Sequence, residues 1–342
     1  MKTINNKGKK MNKFTKVGIS ALAGSLASFA AANAVEMTAS GSAKVTYHNG
    51  DPSEVTGNPY GMNTSIAFSG SGEVNGYATS LTIVNNDANT GLSSAALSID
   101  LGDMGKVTFD QGTGAGGLST IDDKTPTAAE EVWDGLDAVV GANDARVGMG
   151  NSGAFVYDNA FSGFNLSAQV AKGASAANSD DATSGTASGS GTSWDFAITT
   201  DMYEGMTVGG GIGRIANGST LAVDSDNDDH STVFVNYSMG MITAGVQLSE
   251  IDKGTQASAD ESGQAWGISA NINDNLSISY GEREVEYDPF TGATVTEDNE
   301  GVALAYTMGS AKVTVQQNEA SNNGGTVGVV DETTQVALSL SF

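Results

Sequence analysis

Cysteine is absent from the 342-residue chain, which removes disulfide frameworks, thiol nucleophiles, cysteine-based zinc sites and a lipidated amino-terminal cysteine. Histidine is nearly absent as well. His48 and His230 stand far apart in sequence and argue against an imidazole metal centre or a Ser-His-Asp triad. Basic residues are scarce, 15 Lys and Arg against 40 Asp and Glu, for a formal charge of −25. Such a chain repels phosphates, so nucleic acid is not an expected partner. Proline occurs at only 4 positions. Beyond residue 34 no apolar run approaches the roughly 20 residues of a membrane-spanning helix. Composition therefore leaves little catalytic equipment, and the expectation is a non-enzyme that requires no cofactor.

The scarce lysines are concentrated at the amino end. Lys2, Lys7, Lys9, Lys10, Lys13 and Lys16 precede an apolar run from Val17 to Ala32, closed by Ala32-Asn33-Ala34. That order of basic head, short apolar stretch and small-residue cleavage site is a secretory signal peptide, expected over 1–34, with Met11 as an alternative start. Removing it takes six lysines and no acid, so 9 basic residues face 40 acidic ones in 35–342, a formal charge of −31.

What the rest contains is alternation. Val336, Leu338, Leu340 and Phe342 fall on one side of an extended chain, Gln335, Ala337, Ser339 and Ser341 on the other. The same period of two marks 16 candidate strands between 36 and 342, among them 265–272, 276–287 and 301–308. In Ile242–Ser249, Ile242, Ala244, Val246 and Leu248 oppose Thr243, Gln247 and Ser249. A soluble barrel or sandwich would need bulky side chains inside. Here the second face is small and polar, which puts the apolar face outside. Connections alternate short and long, with 252–263, 288–299 and 320–331 among the long ones. Aromatic residues near strand ends, Tyr47, Trp194, Tyr203, Tyr237 and Tyr287 among them, suit interfacial girdles. The expected fold class is all-β: a transmembrane antiparallel up-and-down barrel of about 16 strands.

One connection is exceptional. Residues 111–150 hold Asp122, Asp123, Glu130, Glu131, Asp134 and Asp137, and a segment of such length has a function or structure of its own. Thr127 with Glu130 forms a capping-box pattern for a short helix, with Glu130, Asp134 and Asp137 on one face and Val132, Leu136 and Val139 on another. The expectation is a third loop folded inward, its apolar stripe on the wall and its acids toward a channel. Gly112, Gly114 and Gly117 match G-x-G-x-x-G but no βαβ unit follows. Pairs such as Glu130 and Asp134 do not stand out as glycosidase carboxylates from so acidic a background. By strand parity Lys44, Lys106, Arg283 and Lys312 face the lumen, and Lys44, Lys106 and Lys312 are expected to oppose the loop acids. Arg214 breaks parity and is expected at the rim. Asp224, Asp226, Asp228 and Asp229 could bind calcium, although Asp229 and Val235 stand where an EF-hand would need Gly and Glu.

Met104-Gly-Lys-Val-Thr-Phe109 before the acidic loop, then Asn151–Asp158 (NSGAFVYD) and Phe161–Gln169 (FSGFNLSAQ), with the terminal Phe342, resemble general diffusion porins of Gram-negative bacteria, especially the alphaproteobacterial kind. The resemblance implies a homotrimer in the outer membrane, in contact with its lipid and lipopolysaccharide, passing small hydrophilic solutes and ions by passive diffusion. It also implies that Phe342 is read by the barrel-assembly machinery. Few arginines are present, a departure that puts the family's wall-arginine cluster in doubt. With acids dominant, cation selectivity is expected. The alternatives are a substrate-selective channel, or a surface adhesin or structural barrel with a closed pore.

Overall fold

A computed structural model describes residues 36–50, 57–86, 93–113, 116–136, 145–149, 152–172, 192–216, 227–254 and 258–342. The expected signal peptide, and Asp137, Asp224 and Asp226, lie outside the described residues. The chain forms β1 (Glu36–Gly50), β2 (Tyr60–Val74), β3 (Tyr77–Asn86), β4 (Ser94–Asp100), β5 (Lys106–Gln111), β6 (Ser152–Phe161), β7 (Phe164–Lys172) and β8 (Thr192–Tyr203). It continues through β9 (Met206–Ile215), β10 (Asp228–Met239), β11 (Ile242–Asp252), β12 (Ala259–Asn271), β13 (Leu276–Pro289), β14 (Val295–Met308), β15 (Ala311–Ser321) and β16 (Val330–Ser341). Each strand pairs with its sequence neighbours, and β1 pairs antiparallel with β16, closing a 16-strand barrel. The only helical elements among the described residues are three short 3-10 turns, at Gly102–Met104, Gly117–Thr120 and Asn323–Gly325.

Tight turns follow from residue chemistry. Asn75 and Gly76 sit at φ 53° and 87°, and Ser162 and Gly163 at 50° and 84°. Two positive φ values in succession make the primed turn whose twist matches the strands it joins.

Sidedness is as the alternation requires. Val246 and Leu248 are 51% and 48% exposed, whereas Gln247 between them is 4% exposed. Across the closed ring Ile66, Phe68, Leu97, Ile99, Val302 and Leu338 look outward. In water such a belt would forfeit roughly 25 cal/mol per Å² of apolar surface, whereas in a bilayer it costs nothing.

Three strands run further than their hydrophobic pattern. β12 begins at Ala259 instead of 265, β13 ends at Pro289, and β14 begins at Val295 instead of 301. Much of the expected loops 252–263 and 288–299 is thus strand. Level with these extensions the outer face carries a row of acids: Glu282 stands in register with Glu300, Glu300 with Glu319, and Glu319 with Glu332. Like charges side by side tolerate water and not hydrocarbon, so the outer surface is aqueous at that level and needs no apolar alternation. Just below, Tyr280 donates its hydroxyl to Glu282 and Glu300, and Trp266 Nε1 donates to Glu282 at 3.3 Å. These aromatics occupy the girdle position. Tyr287, expected there, is buried on the inner face and donates to Glu297 at 3.1 Å.

Candidate functional site

The connection between β5 and β6 enters the barrel and follows its inner wall. Gly117 N–H donates to Ser167 Oγ on β7 at 2.9 Å, and Leu118 N–H to Asp195 Oδ1 on β8 at 3.1 Å. Lys124 N–H donates to Gln247 on β11 at 2.7 Å, Ala128 N–H to Ser279 on β13 at 2.9 Å, and Glu130 N–H to Gln316 on β15 at 3.2 Å. Wall amides answer in the other direction. Gln247 Nε2 donates to the carbonyls of Ile121 and Asp122 at 2.7 and 2.9 Å, Gln316 Nε2 to Glu131 O at 2.9 Å, and Asn318 Nδ2 to Asp134 O at 2.8 Å. The returning limb is fixed by Ala145 N–H to Glu261 on β12 at 2.7 Å, Gly148 N–H to His230 Nδ1 on β10 at 3.2 Å, and Met149 N–H to Asp195 Oδ2 at 3.2 Å.

Apolar contacts hold the same segment. Leu118, Ile121 and Val147 pack with Ala197, Phe234 and Ile251 of the wall, a small hydrophobic core on the water side of the barrel. The socket is made by missing side chains on β9: a Cβ on Gly211 would lie 2.7 Å from Leu118 Cδ2, and one on Gly213 would lie 3.0 Å from Leu118 Cδ1. Further round, Val132 lies over Gly281 and Gly301, where an added Cβ would meet it at 3.2 and 3.1 Å.

The expected helix at 127–139 is not formed in its described part, 127–136, which turns without helical pairing. Thr127 Oγ1 accepts from Ala129 N–H at 3.2 Å and donates to Glu130 O at 2.7 Å, so the capping chemistry closes a local turn. The Glu131 and Asp134 carbonyls, which a helix would have paired, are taken by Gln316 and Asn318, while the first-turn N–H groups of Ala128 and Glu130, which a helix leaves open, donate to Ser279 and Gln316. Wall bonds substitute for the helical ladder.

The loop acids are crowded. Burial first, then the charge of Asp123, pushes Asp122 up to about 6. Asp123 is raised by burial against the pull of Arg146, Arg283 and Lys124. Glu131 is raised by burial and then by Asp123, and Asp134 by burial and then by Glu130. Of the expected wall bases, Lys44 meets the loop, with Nζ 3.2 Å from Glu130. Lys106 pairs instead with Asp158 on the neighbouring strand at 3.3 Å. Lys312 stands on the inner face in register with Ser339, which is itself in register with Lys44. Arg283 points inward but is covered: it is 5% exposed, stacks on Trp133 with 4.4 Å to the ring centroid, donates to Asn299 at 2.8 Å and pairs with Glu297 at 3.2 Å. It fastens the loop and does not line open water.

At the rim Arg214 grips both oxygens of Asp229 at 2.6 and 2.8 Å, and Asp228 accepts from Gly254 N–H at 2.8 Å. Among the described residues no group of three or more His, Asp or Glu could hold a metal. Phe342 closes the seam, exchanging backbone bonds with Gly41 at 2.8 and 2.9 Å. Sequence reasoning did not single out Asp195, His230, Gln247, Gln316, Asn318 or Trp133. A signal existed in β9 and β10, where Gly209-Gly210-Gly211 and Val233-Phe234-Val235 break the alternation.

These contacts run to β1 and to β7–β16. On the other side β2–β5 present Ser65, Ser69, Ser80, Thr82, Ser98 and Thr108 inward, with Ser69 bonded to Thr82 at 2.9 Å and Ser98 to Thr108 at 2.8 Å. On the short-turn side of the loop lies a cavity of about 900 Å³, with Lys106, Lys124, Asp158, Thr199 and Asn236 in its lining.

No protein-family model matches the sequence, and no curated protein does. Solved structures are similar in fold. OmpT, an outer membrane protein of Vibrio cholerae, matches with a TM-score of 0.64 at 14% identity, covering 92% of this chain and 99% of that one. An anion-selective porin from Comamonas acidovorans gives 0.62 at 14% identity, over 90% of this chain and all of that one (100%). A mutant of the Rh. blastica porin gives 0.61 at 12% identity, over 90% and 100%. The chain thus has the fold of the porins and related outer-membrane barrels.

Proposed function

We propose that this protein is an outer-membrane diffusion channel whose β5–β6 loop narrows the passage and gives it a preference for cations. The observation that carries this is the division of the lumen. The described part of the loop, 116–136 and 145–149, lies along β7–β16 and β1 with its carboxylates, the hydroxyl-lined inner face of β2–β5 lies opposite, and the passage runs between them. A passive, non-enzymatic role belongs to the same proposal and is supported by the likeness in fold to porins. The Comamonas relative is anion-selective by its description, so the sign of selectivity must come from each chain's own lining. Here that lining joins five described loop acids to a wall of hydroxyls. A homotrimer, contact with outer-membrane lipid and lipopolysaccharide, recognition of Phe342 during assembly and kinship with the alphaproteobacterial porins all belong to the same proposal. One similar OmpT structure is described as a trimer form.

Solute swelling of proteoliposomes and reversal potentials in planar bilayers test it. The expected results are uptake of small sugars with a size limit and a cation preference in dilute salt, fading as the Debye length falls from about 10 Å at 0.1 M. No uptake would indicate a closed structural barrel, uptake of a single sugar class a selective channel, and anion preference would overturn the selectivity.

A further inference from the structure

We propose that Asp195 is the positioning residue of the constriction: one carboxylate holds both feet of the loop and so sets the width of the passage. The inference rests on the channel function proposed above. Asp195 projects inward from β8 and is 2% exposed. Its Oδ1 accepts from Leu118 N–H, at the loop's first turn, at 3.1 Å. Its Oδ2 accepts from Met149 N–H, where the loop leaves for β6, at 3.2 Å, and from Gln169 Nε2 at 2.9 Å. Two limbs that separate to run along most of the inner wall therefore converge on one side chain.

The local sequence is fitted to that convergence. Gly117 has φ +54°, and a Cβ there would fall 1.6 Å from Asp195 Oδ1, so only glycine lets the backbone come close enough. Ser167 and His230 take the N–H groups next to each foot, of Gly117 at 2.9 Å and Gly148 at 3.2 Å. Each of these neighbours bonds one limb, whereas Asp195 accepts from both. A carboxylate suits the role because both oxygens accept and because a charged acceptor makes shorter and stronger bonds than a neutral one. An asparagine would offer one acceptor and turn its N–H₂ toward the other limb's N–H.

Asp195→Asn is the test, read by single-channel conductance and by the size limit in proteoliposome swelling. The expected result is a higher or fluctuating conductance and uptake of larger sugars, with the unfolding temperature of the barrel unchanged. Wild-type channel behaviour with an identical size limit in the variant overturns the role of Asp195. Absence of uptake in the wild-type protein overturns instead the channel function on which it rests. Hydrogen exchange on the unaltered protein supplies a second measurement that needs no variant. The amides of Leu118 and Met149 are expected to exchange slowly, and exchange as fast as that of the exposed Asn75–Gly76 turn would refute the clamp.

Discussion

Leu118→Ala separates a loop that is docked by packing from one that merely lies in the lumen. Leu118 is fully buried, 0% exposed, between the loop's Ile121 and Val147 and the wall's Ala197, Phe234 and Ile251, in the socket left by Gly211 and Gly213. Truncating a buried leucine costs about 2–5 kcal/mol, the transfer of the lost carbons plus the cavity left behind. The socket is backed by paired strands and cannot collapse, so about 3 kcal/mol is expected here. Every 1.4 kcal/mol is a factor of ten, so the undocked population should rise about a hundredfold. Exchange of a protected amide tracks that population when reclosing is fast. The amides of 117–124 should therefore exchange about a hundredfold faster, and single-channel records should gain noise. Leu118 belongs to no strand, so thermal unfolding of the barrel should hardly move. Unchanged exchange in a folded variant would show that the cluster does not anchor the loop. A large fall in barrel stability would show that Leu118 supports the wall itself.

Acidification should weaken cation selectivity in a defined window. Asp122, raised from 3.8 to about 6, favours its protonated form in the folded loop. The stability this gives to docking is complete below about 3.8 and is lost as pH rises through about 6. Reversal potentials between about pH 7 and pH 5 should fall toward neutrality in the wild type and fall less in Asp122→Asn, where the other raised acids remain; a flat wild-type profile refutes the assignment. Lys44→Met removes a partly exposed pair worth about 0–1 kcal/mol, so melting should not change while cation preference in dilute salt increases. A decrease would place Lys44 away from the conduction path. Gly41→Val puts a side chain where its Cβ would meet Phe342 Cε2 at 2.5 Å and Cζ at 2.8 Å. Refolding into detergent, followed by the heat-dependent gel shift of closed barrels, should slow markedly; wild-type kinetics would show that the ring is not part of the closing step.

Strand count and sidedness were legible because each strand repeats the same message, as Val246 and Leu248 do against Gln247. Strand ends were not. Beyond the apolar belt both faces of a hairpin are wet, so Thr296–Glu300 reads as loop although it is paired in register with Glu282–Glu286. The loop's acids were legible by composition, but its conformation was not. Gln247, Gln316 and Asn318 look like ordinary polar lining from sequence, and only in space do they face the backbone that would otherwise have coiled. Arg283 had the right parity and a different fate, since Trp133 from the loop and Glu297 and Asn299 from β14 converge on it. A buried clamp such as Asp195 leaves no local trace beyond an acid at an inward position.

Bulk charge also overstates the field in the passage. Glu284, Glu286, Glu300, Glu319 and Glu332 lie exposed on the outer surface of the barrel, with Glu282 half-buried beside them. A wall of paired strands separates them from the lumen, and salt screens them on the outer side. Inside, Glu297 is neutralised against Arg283 and Glu261 against Lys253, while Asp122, Asp123, Glu131 and Asp134 have their charge opposed by burial. Glu130, on the exposed turn, is partly offset by Lys44 at 3.2 Å. The net charge of the chain governs its behaviour in solution and at the cell surface. The sign of the current depends on the few carboxylates that the wall amides hold toward the hydroxyl-lined face of β2–β5.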